Sequence, residues 1–219
     1  MIKFYFIIII LTLVSCKEPL GIENNVDTMI LEEELFPLSE GNTWCYIQED
    51  FDDDCNLIST SDYTMDVTTT HFSKGKLWFQ ILKSDESFLD HFYRVDKYGL
   101  WYKIPQFFPT EEFLILNYQK NETEKLVFKD IFNSNNNFEI ECLLIDKTKE
   151  IIVNDVVFIC YQYNYYKVNK QNNIKTLFKE CYFSKGVGLI LEKEYKVINN
   201  IEILTSTRTL SMYNLKNKK

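Results

Sequence analysis

The sequence predicts a mainly β protein: a single antiparallel β domain, a sandwich or partly closed barrel, with at most one or two short helices. Three observations predict it. Val, Ile, Thr, Tyr and Phe crowd the apolar runs, with 17 Phe and 14 Tyr in 219 residues, and these side chains suit a pleated, half-buried surface. Several runs alternate apolar and polar residues, the period of a strand with one face in a core. Short polar pairs such as Lys74-Gly75 and Asn199-Asn200 separate the runs at hairpin spacing. No repeat of roughly 20 to 50 residues accompanies them, which argues against a propeller or solenoid.

The chain starts Met1-Ile2-Lys3, followed by an apolar run from Phe4 to Val14. The run is too short to cross a bilayer as a helix, which takes roughly 20 residues. Behind a basic start it has the length of a signal-peptide core. Leu13-Val14-Ser15-Cys16 resembles the lipobox of bacterial lipoproteins. The resemblance implies diacylglyceryl transfer to the Cys16 sulfur, cleavage before Cys16 and acylation of the new amine. Residues 1–15 are then the signal peptide. The implied location is the cell envelope, lipid-anchored, with the outer membrane expected and its periplasmic or surface face open. Lys17-Glu18 partly resembles the short Lys-then-acidic signal of surface-exported Bacteroidota lipoproteins.

Residues 16–35 read as the lipidated N-terminus and a flexible tether, with Pro19, Gly21 and the solvated run Glu32-Glu33-Glu34. The β domain is expected over 36–213. NTWCYIQ is its first strand. YTMDVTTTHF alternates with Tyr63, Met65, Val67, Thr69 and His71 on one face, and KLWFQILK returns with Leu77, Phe79 and Ile81 on one face. HFYRVD and GLWYKI follow, split by Lys97-Tyr98-Gly99. FEIECLLID places Phe138, Ile140, Cys142 and Leu144 on one face. VFICYQYNYYKV, IKTLFKECYF, VGLILEKEYKVI and IEILTSTRTLSMY complete the strands. Residues 214–219 read as a frayed polar tail. Two segments carry helix signals. PTEEFLILNYQ has Thr110 as an N-cap with Glu111 and Glu112 in the first turn. NETEKLVFKDIF has Asn121 and Glu124 at capping-box spacing.

Charge narrows the partners. The formal net charge is −8, and loss of Lys3 with the signal peptide makes it −9. No basic stripe exists for nucleic acid. Enzyme motifs are absent: the two histidines, His71 and His91, stand beside no cysteine or serine motif, and no HExxH, G-x-S-x-G or CxxC occurs. The expectation is that the protein is not an enzyme and has no cofactor. His71, alternating with apolar neighbours, is expected as a hydrogen-bonded core or edge histidine.

The acidic run Glu49 to Asp54 is the sharpest chemical feature. Asp50, Asp52 and Asp54, with Asn56, alternate as hard calcium ligands would. Cys55 stands where an EF-hand needs glycine, and Ser61 where it needs a bidentate glutamate. A solvated hairpin tip is therefore expected over a metal site. Cys45 and Cys55 flank the tip, and a hairpin centred on Asp50 would set them at disulfide distance. Cys142, Cys160 and Cys181 read as buried thiols.

FPLSEGNTWCY opens the domain, EIIVNDVVFICYQY lies between, and CYFSKGVGLI comes near its end. This order resembles uncharacterised bacterial lipoproteins, many from Bacteroidota, with a PL-x-x-GN-x-W-x-Y opening strand and a GVGL hairpin. The resemblance implies a β-rich envelope domain and no known reaction. From the residues themselves, Gly41 turns the chain so that Trp44 seats in the core. Gly186 and Gly188 allow a bulge or close packing.

The aromatic band from Phe88 to Phe113 supplies the candidate ligand or partner patch: Trp101, Tyr102, Phe107 and Phe108, beside the proline-bracketed loop Pro105 to Pro109. The leading expectation is a lipid-anchored envelope module that binds a small apolar ligand or a protein partner. The alternative is a structural or assembly partner of an outer-membrane complex. An envelope hydrolase is the distant alternative.

Overall fold

The computed structural model describes residues 35–84, 90–105, 111–118, 125–129, 137–199 and 201–216. Cys16, the signal segment, the tether up to Glu34, Phe107, Phe108, Thr110 and Asn121 lie outside the described residues.

Within the described residues the chain forms twelve strands and no helix: β1 (Thr43–Phe51), β2 (Leu57–Ser73), β3 (Lys76–Lys83), β4 (His91–Asp96), β5 (Gly99–Lys103), β6 (Phe113–Asn117), β7 (Lys125–Lys129), β8 (Phe138–Val153), β9 (Val156–Asn169), β10 (Lys175–Ser184), β11 (Gly188–Ile198) and β12 (Ile201–Asn214). They make one antiparallel sheet in the order β6-β5-β4-β3-β2-β1-β12-β11-β10-β9-β8-β7. The first and last strands pair in its middle. The sheet curls so that its edges, β6 and β7, lie side by side without a ladder between them. The result is an up-and-down barrel with one open seam.

Two tyrosines of β9 reach that seam. The Tyr163 hydroxyl donates to the Asn117 carbonyl at 3.2 Å, and the Tyr165 hydroxyl donates to the Ile115 carbonyl at 3.1 Å. Both acceptors belong to β6, whose edge carbonyls would otherwise lack ladder partners.

Tight turns join the strands where the sequence supplies residues for positive φ. Lys74-Gly75 and Asn154-Asp155 are two-residue loops with both residues left-handed, the twist a hairpin favours. Asn199 is also left-handed, and Ile198 pairs with Ile201 across it. Gly41 takes φ +84°, and its N–H donates to the Val67 carbonyl. Asn42, 1 % exposed, then ties both ends of the domain together. Its amide donates to the Pro37 carbonyl, and its oxygen accepts from the Lys216 N–H.

Several expectations need correction. The two helix candidates are edge strands, β6 and β7. Phe113–Asn117 finds a ladder on β5 and Lys125–Lys129 one on β8, and a sheet edge outweighs a short capping signal. The domain is wider than 36–213: Leu35 is buried, Asn214 is in β12 and Leu215 packs on the core. The face of Tyr63, Met65 and Val67 is buried as expected, but Thr69 and His71 are exposed. A bulge between Val67 and Thr69 reverses the alternation there. On β3 the buried residues are Trp78 and Ile81, while Leu77 is exposed.

The first hairpin is centred past Asp50. Asp50 faces Ser59, Phe51 faces Leu57, and Cys45 faces Thr64. Cys55 sits in the turn at φ +61°, about six strand residues and roughly 20 Å along the ladder from Cys45. The expected Cys45–Cys55 disulfide is therefore not made, and both thiols are free.

Candidate functional site

The inner face of the barrel follows from strand alternation. Trp44 and Tyr46 of β1, Tyr63, Met65 and Val67 of β2, Tyr93 of β4 and Tyr102 of β5 are all buried in one core cluster. Ile140, Cys142 and Leu144 of β8 join Tyr163 and Tyr165 of β9 there. These residues do not fill the lumen. A cavity of about 860 Å³ remains, within the rough 300–1,000 Å³ range of small-molecule sites.

One end is floored. The segment before β1 turns Phe36 into the lumen, where it stacks on Trp44 (ring centroids 4.9 Å, 18°) and meets Phe183 edge-on at 6.4 Å. The Trp44 indole N–H donates to the Val187 carbonyl at 2.6 Å. Gly188, at φ +111°, makes room for this floor: a Cβ there would lie 3.1 Å from the Trp44 indole nitrogen and 3.4 Å from the Phe36 ring. Gly188 thus serves the close packing expected of it, beside a bulge between Tyr182 and Phe183. The opposite end, near Lys83, Lys167, Thr176, Lys196 and Val197, forms the rest of the lining.

The walls differ in chemistry. On the β4–β8 side the lining is Tyr93, Leu100, Tyr102, Ile115, Phe128 and Ile140. On the β10–β12 side it carries a charged row. Lys179 donates to Glu192 at 3.1 Å and pairs with Glu194 at 2.9 Å. Arg208 donates to Glu192 at 3.0 Å and to Gln48 at 2.8 Å, and its guanidinium lies 4.4 Å from the Tyr63 ring centroid. Burial would raise the Glu192 carboxyl, but Lys179 and Arg208 outweigh it and hold the group below its ordinary value. Burial works against the Lys179 ammonium, yet Glu192 and Glu194 carry it above its ordinary value. Both stay charged at neutral pH.

The buried thiols are the opposite case. Burial pushes Cys142 up to about 12 and Cys181 well above its ordinary value, the latter helped by Glu192. They remain protonated at neutral pH, which removes the nucleophilic form. His91, 1 % exposed, has its Nδ1 2.8 Å from the Tyr102 hydroxyl. The cavity therefore presents aromatic surface and fixed charge.

The structure separates the residues that sequence reasoning grouped. Trp101 and Tyr102 are neighbours on β5 and face opposite sides. Tyr102 lines the cavity. Trp101 lies outside, with the Arg94 guanidinium 4.6 Å from its ring centroid. They cannot form one patch, and Phe107 and Phe108 lie outside the described residues. Asp50, Asp52 and Asp54 do not converge either. Asp52 Oδ1 accepts from the Asp54 and Asn56 N–H groups and closes the turn, while Asp50 accepts from the Ser59 hydroxyl. Among the described residues no three acidic, His or Cys side chains gather as metal ligands. Sequence reasoning missed Lys179, Glu192 and Arg208. The signal was a charge at alternating inward positions of otherwise half-apolar strands.

No protein-family model and no curated protein matches the chain. Among solved structures it is similar to an inferred exported protein of Bacteroides fragilis described as having a YmcC-like fold, at 14 % identity and TM-score 0.46, covering 84 % of this chain and all of that one. It is also similar to an inferred lipoprotein of Parabacteroides distasonis, at 15 % identity and TM-score 0.42, covering 83 % and 99 %. A domain from Vibrio parahaemolyticus, described as an outer membrane lipoprotein-sorting protein by inference, matches at 10 % identity and TM-score 0.22, covering 80 % and 85 %. At these values the likenesses assign no activity.

Proposed function

We propose that the protein is a lipid-anchored cell-envelope module that binds an apolar small molecule inside its barrel. The lipobox-like Leu13-Val14-Ser15-Cys16 supports the anchor, with Cys16 as the acylated residue. The observation that carries the binding reading is the floored cavity of about 860 Å³ with its aromatic and aliphatic wall. Water in such a space faces few polar partners on that wall, so an apolar occupant is favoured. The site replaces the Trp101-centred patch; Tyr102 alone carries over from it.

The test is native mass spectrometry of a chain from Glu18 to Lys219, made in a bacterial periplasm. That chain carries every described strand and core residue. A small-molecule mass that disappears on denaturation supports the reading and identifies the ligand class. A bare mass that persists after incubation with bacterial lipid extract overturns it. For the anchor, Cys16→Ser should abolish incorporation of radiolabelled palmitate in cells.

A second reading rests on a different surface. At the β8–β9 tip Ile152, Val157 and Ile159 are 69 %, 55 % and 50 % exposed, and the register sets Ile152 opposite Val157. An exposed apolar arm suits an assembly partner in the envelope. Crosslinking from Val157 in cells tests it: a specific partner band supports the scaffold role, and its absence removes the support.

A further inference from the structure

The two ends of the barrel differ in charge and in how the chain reaches them. The strands alternate in direction, so the floor carries the turns after β2, β4, β8 and β10, and the mouth those after β1, β5, β9 and β11. On the floor side, the described turns and the chain leaving β12 include the exposed Lys74, Lys97 and Lys216, with Glu40 and Asp155 as the acids. The mouth-side turns include Asp52, Asp53, Asp54 and Glu111. An anionic lipid surface therefore repels the mouth and tolerates the floor. The chain also enters the domain at the floor, where Phe36 stacks on Trp44. Cys16 precedes Phe36 by 20 residues, so an acyl anchor there keeps the floor end at high local concentration beside the lipid, and a weak contact then suffices.

Two hairpins extend past their neighbours at the floor end. β2 runs on from Asp66, the partner of Thr43, to Ser73. β9 starts at Val156, ahead of Cys160, the partner of Ser184 at the end of β10. Near the first tip Phe72 faces Leu77 across the ladder; Phe72 is 71 % exposed and Leu77 is exposed too. Near the second tip Ile152 faces Val157, and both are exposed. The Asn154 amide donates to the Ser211 carbonyl at 3.1 Å, which fixes this tip against β12. Exposure alone does not select the end, because Ile58, Ile174 and Ile201 are exposed toward the mouth. The acidic turn Asp52 to Asp54 opposes lipid contact there, and the entry of the chain favours the floor.

From this we infer that the floor end of the barrel docks on an anionic lipid surface. Phe72 and Leu77 on one hairpin, and Ile152 and Val157 on the other, enter the boundary between headgroups and acyl chains. Lys74 and Lys97 meet the headgroups. Such contact combines buried apolar area with attraction between lysines and anionic lipid. The mouth then opens to the aqueous side. The inference rests on the Cys16 anchor proposed above and gives the anchored barrel an orientation.

The experiment uses the acylated full chain with Cys45→Ser and Cys55→Ser, reconstituted in vesicles of equal parts phosphatidylethanolamine and phosphatidylglycerol. Cys142, Cys160 and Cys181 are buried and stay unlabelled. Phe72→Cys, Val157→Cys and Ile201→Cys, one at a time, carry a nitrobenzoxadiazole dye, and lipid with nitroxide-labelled acyl chains supplies the quencher. Quenching at the first two positions and none at the third is expected. Phe72→Asp together with Val157→Asp should remove quenching of a Tyr98→Cys probe at the β4–β5 turn while the chain still floats with the vesicles. Both side chains are exposed, so folding is spared. Equal quenching at all three positions, quenching at Ile201→Cys alone, or none at any while the chain floats overturns the docking and leaves the anchor standing. A protein band crosslinked from Val157 in cells also counts against it, since that tip would then meet a partner and not lipid. Failure of the wild-type chain to float with the vesicles overturns the anchor, and the docking with it.

Discussion

Tyr165→Phe tests how the barrel stays closed. The substitution removes one oxygen and keeps the ring, so packing against Phe178 is retained (centroids 6.4 Å, 68°). What it removes is the 3.1 Å hydrogen bond to the Ile115 carbonyl. Burial keeps this phenol protonated well beyond its ordinary value, so it is a donor throughout the working pH range. Loss of this part-buried hydrogen bond costs about 1 kcal/mol. For a domain of this size each kcal/mol lowers the melting temperature by about 2–4 °C. The measured quantity is the urea midpoint at constant slope, together with amide exchange over Phe113–Asn117. Loss of stability with faster exchange in β6 is expected. The double variant with Tyr163→Phe should cost more, though less than the sum of the two if the tyrosines hold one seam together. Unchanged stability and unchanged β6 exchange in the double variant would refute the argument that hydroxyls replace the missing ladder.

Three further outcomes follow from the geometry. Glu192→Gln leaves Lys179 and Arg208 short of their shared carboxylate and should cost about 3 kcal/mol at neutral pH. Because the folded carboxyl is held below its ordinary 4.5, its contribution is present above that value and is lost as pH falls through the folded one. The gap between wild type and variant in chemical denaturation should therefore shrink below about pH 4.5; a gap constant down to pH ~3 would contradict the ion-pair account. Gly99→Ala should cost about 3 kcal/mol or more. Gly99 sits at φ +144°, and a Cβ there would lie 1.9 Å from the Leu116 carbonyl oxygen, so β5 and β6 must separate. A thermal melt matching wild type would show that the strands do not approach so closely. Finally, Ellman's reagent should label exposed Cys55 first and half-buried Cys45 more slowly. Cys142, Cys160 and Cys181 should react only on unfolding. Recovery of Cys45 and Cys55 as a disulfide would contradict the register.

The strands were legible where local chemistry and tertiary need agreed. Asn199 and Lys74-Gly75 mark turns because few residues tolerate positive φ. Trp44 and the Phe138 to Leu144 face were legible because alternation continues unbroken there. It failed at His71, where a bulge no local signal announces reverses the face. It failed again at Phe113–Asn117, where Glu111 and Glu112 look like a helix start. Instead Glu112 pairs with Lys76 at 2.5 Å and Arg94 at 3.5 Å, distant in sequence. The Cys45–Cys55 pairing failed by register: moving the turn from Asp50 to Asp52–Asn56 carries the two thiols far apart. The candidate site was the least legible part. Its cations and carboxylates come from β3, β9, β10, β11 and β12, and only the closure of the sheet brings them to one space.

The strand count explains why that space exists. A barrel of about eight strands is just filled by its own inward side chains, and the diameter grows with each strand added. Twelve strands enclose more than one inward layer of Val and Leu can fill. Large side chains answer part of the deficit: Trp44, Tyr46, Tyr63, Tyr163 and Tyr165 all point inward and are buried. Phe36, supplied from outside the sheet, answers it at the floor. Toward the mouth no further segment among the described residues enters the lumen, and the inward positions there carry Lys83, Lys167 and Glu194. Long charged side chains keep their heads near water and pack poorly against one another. The heavy aromatic content and the cavity thus share one cause. Filling the cavity by substitution, for example Thr176→Phe in its lining, should leave the fold intact and reduce binding of a neutral apolar probe such as N-phenyl-1-naphthylamine. Unaltered probe binding would place the bound molecule outside the lumen.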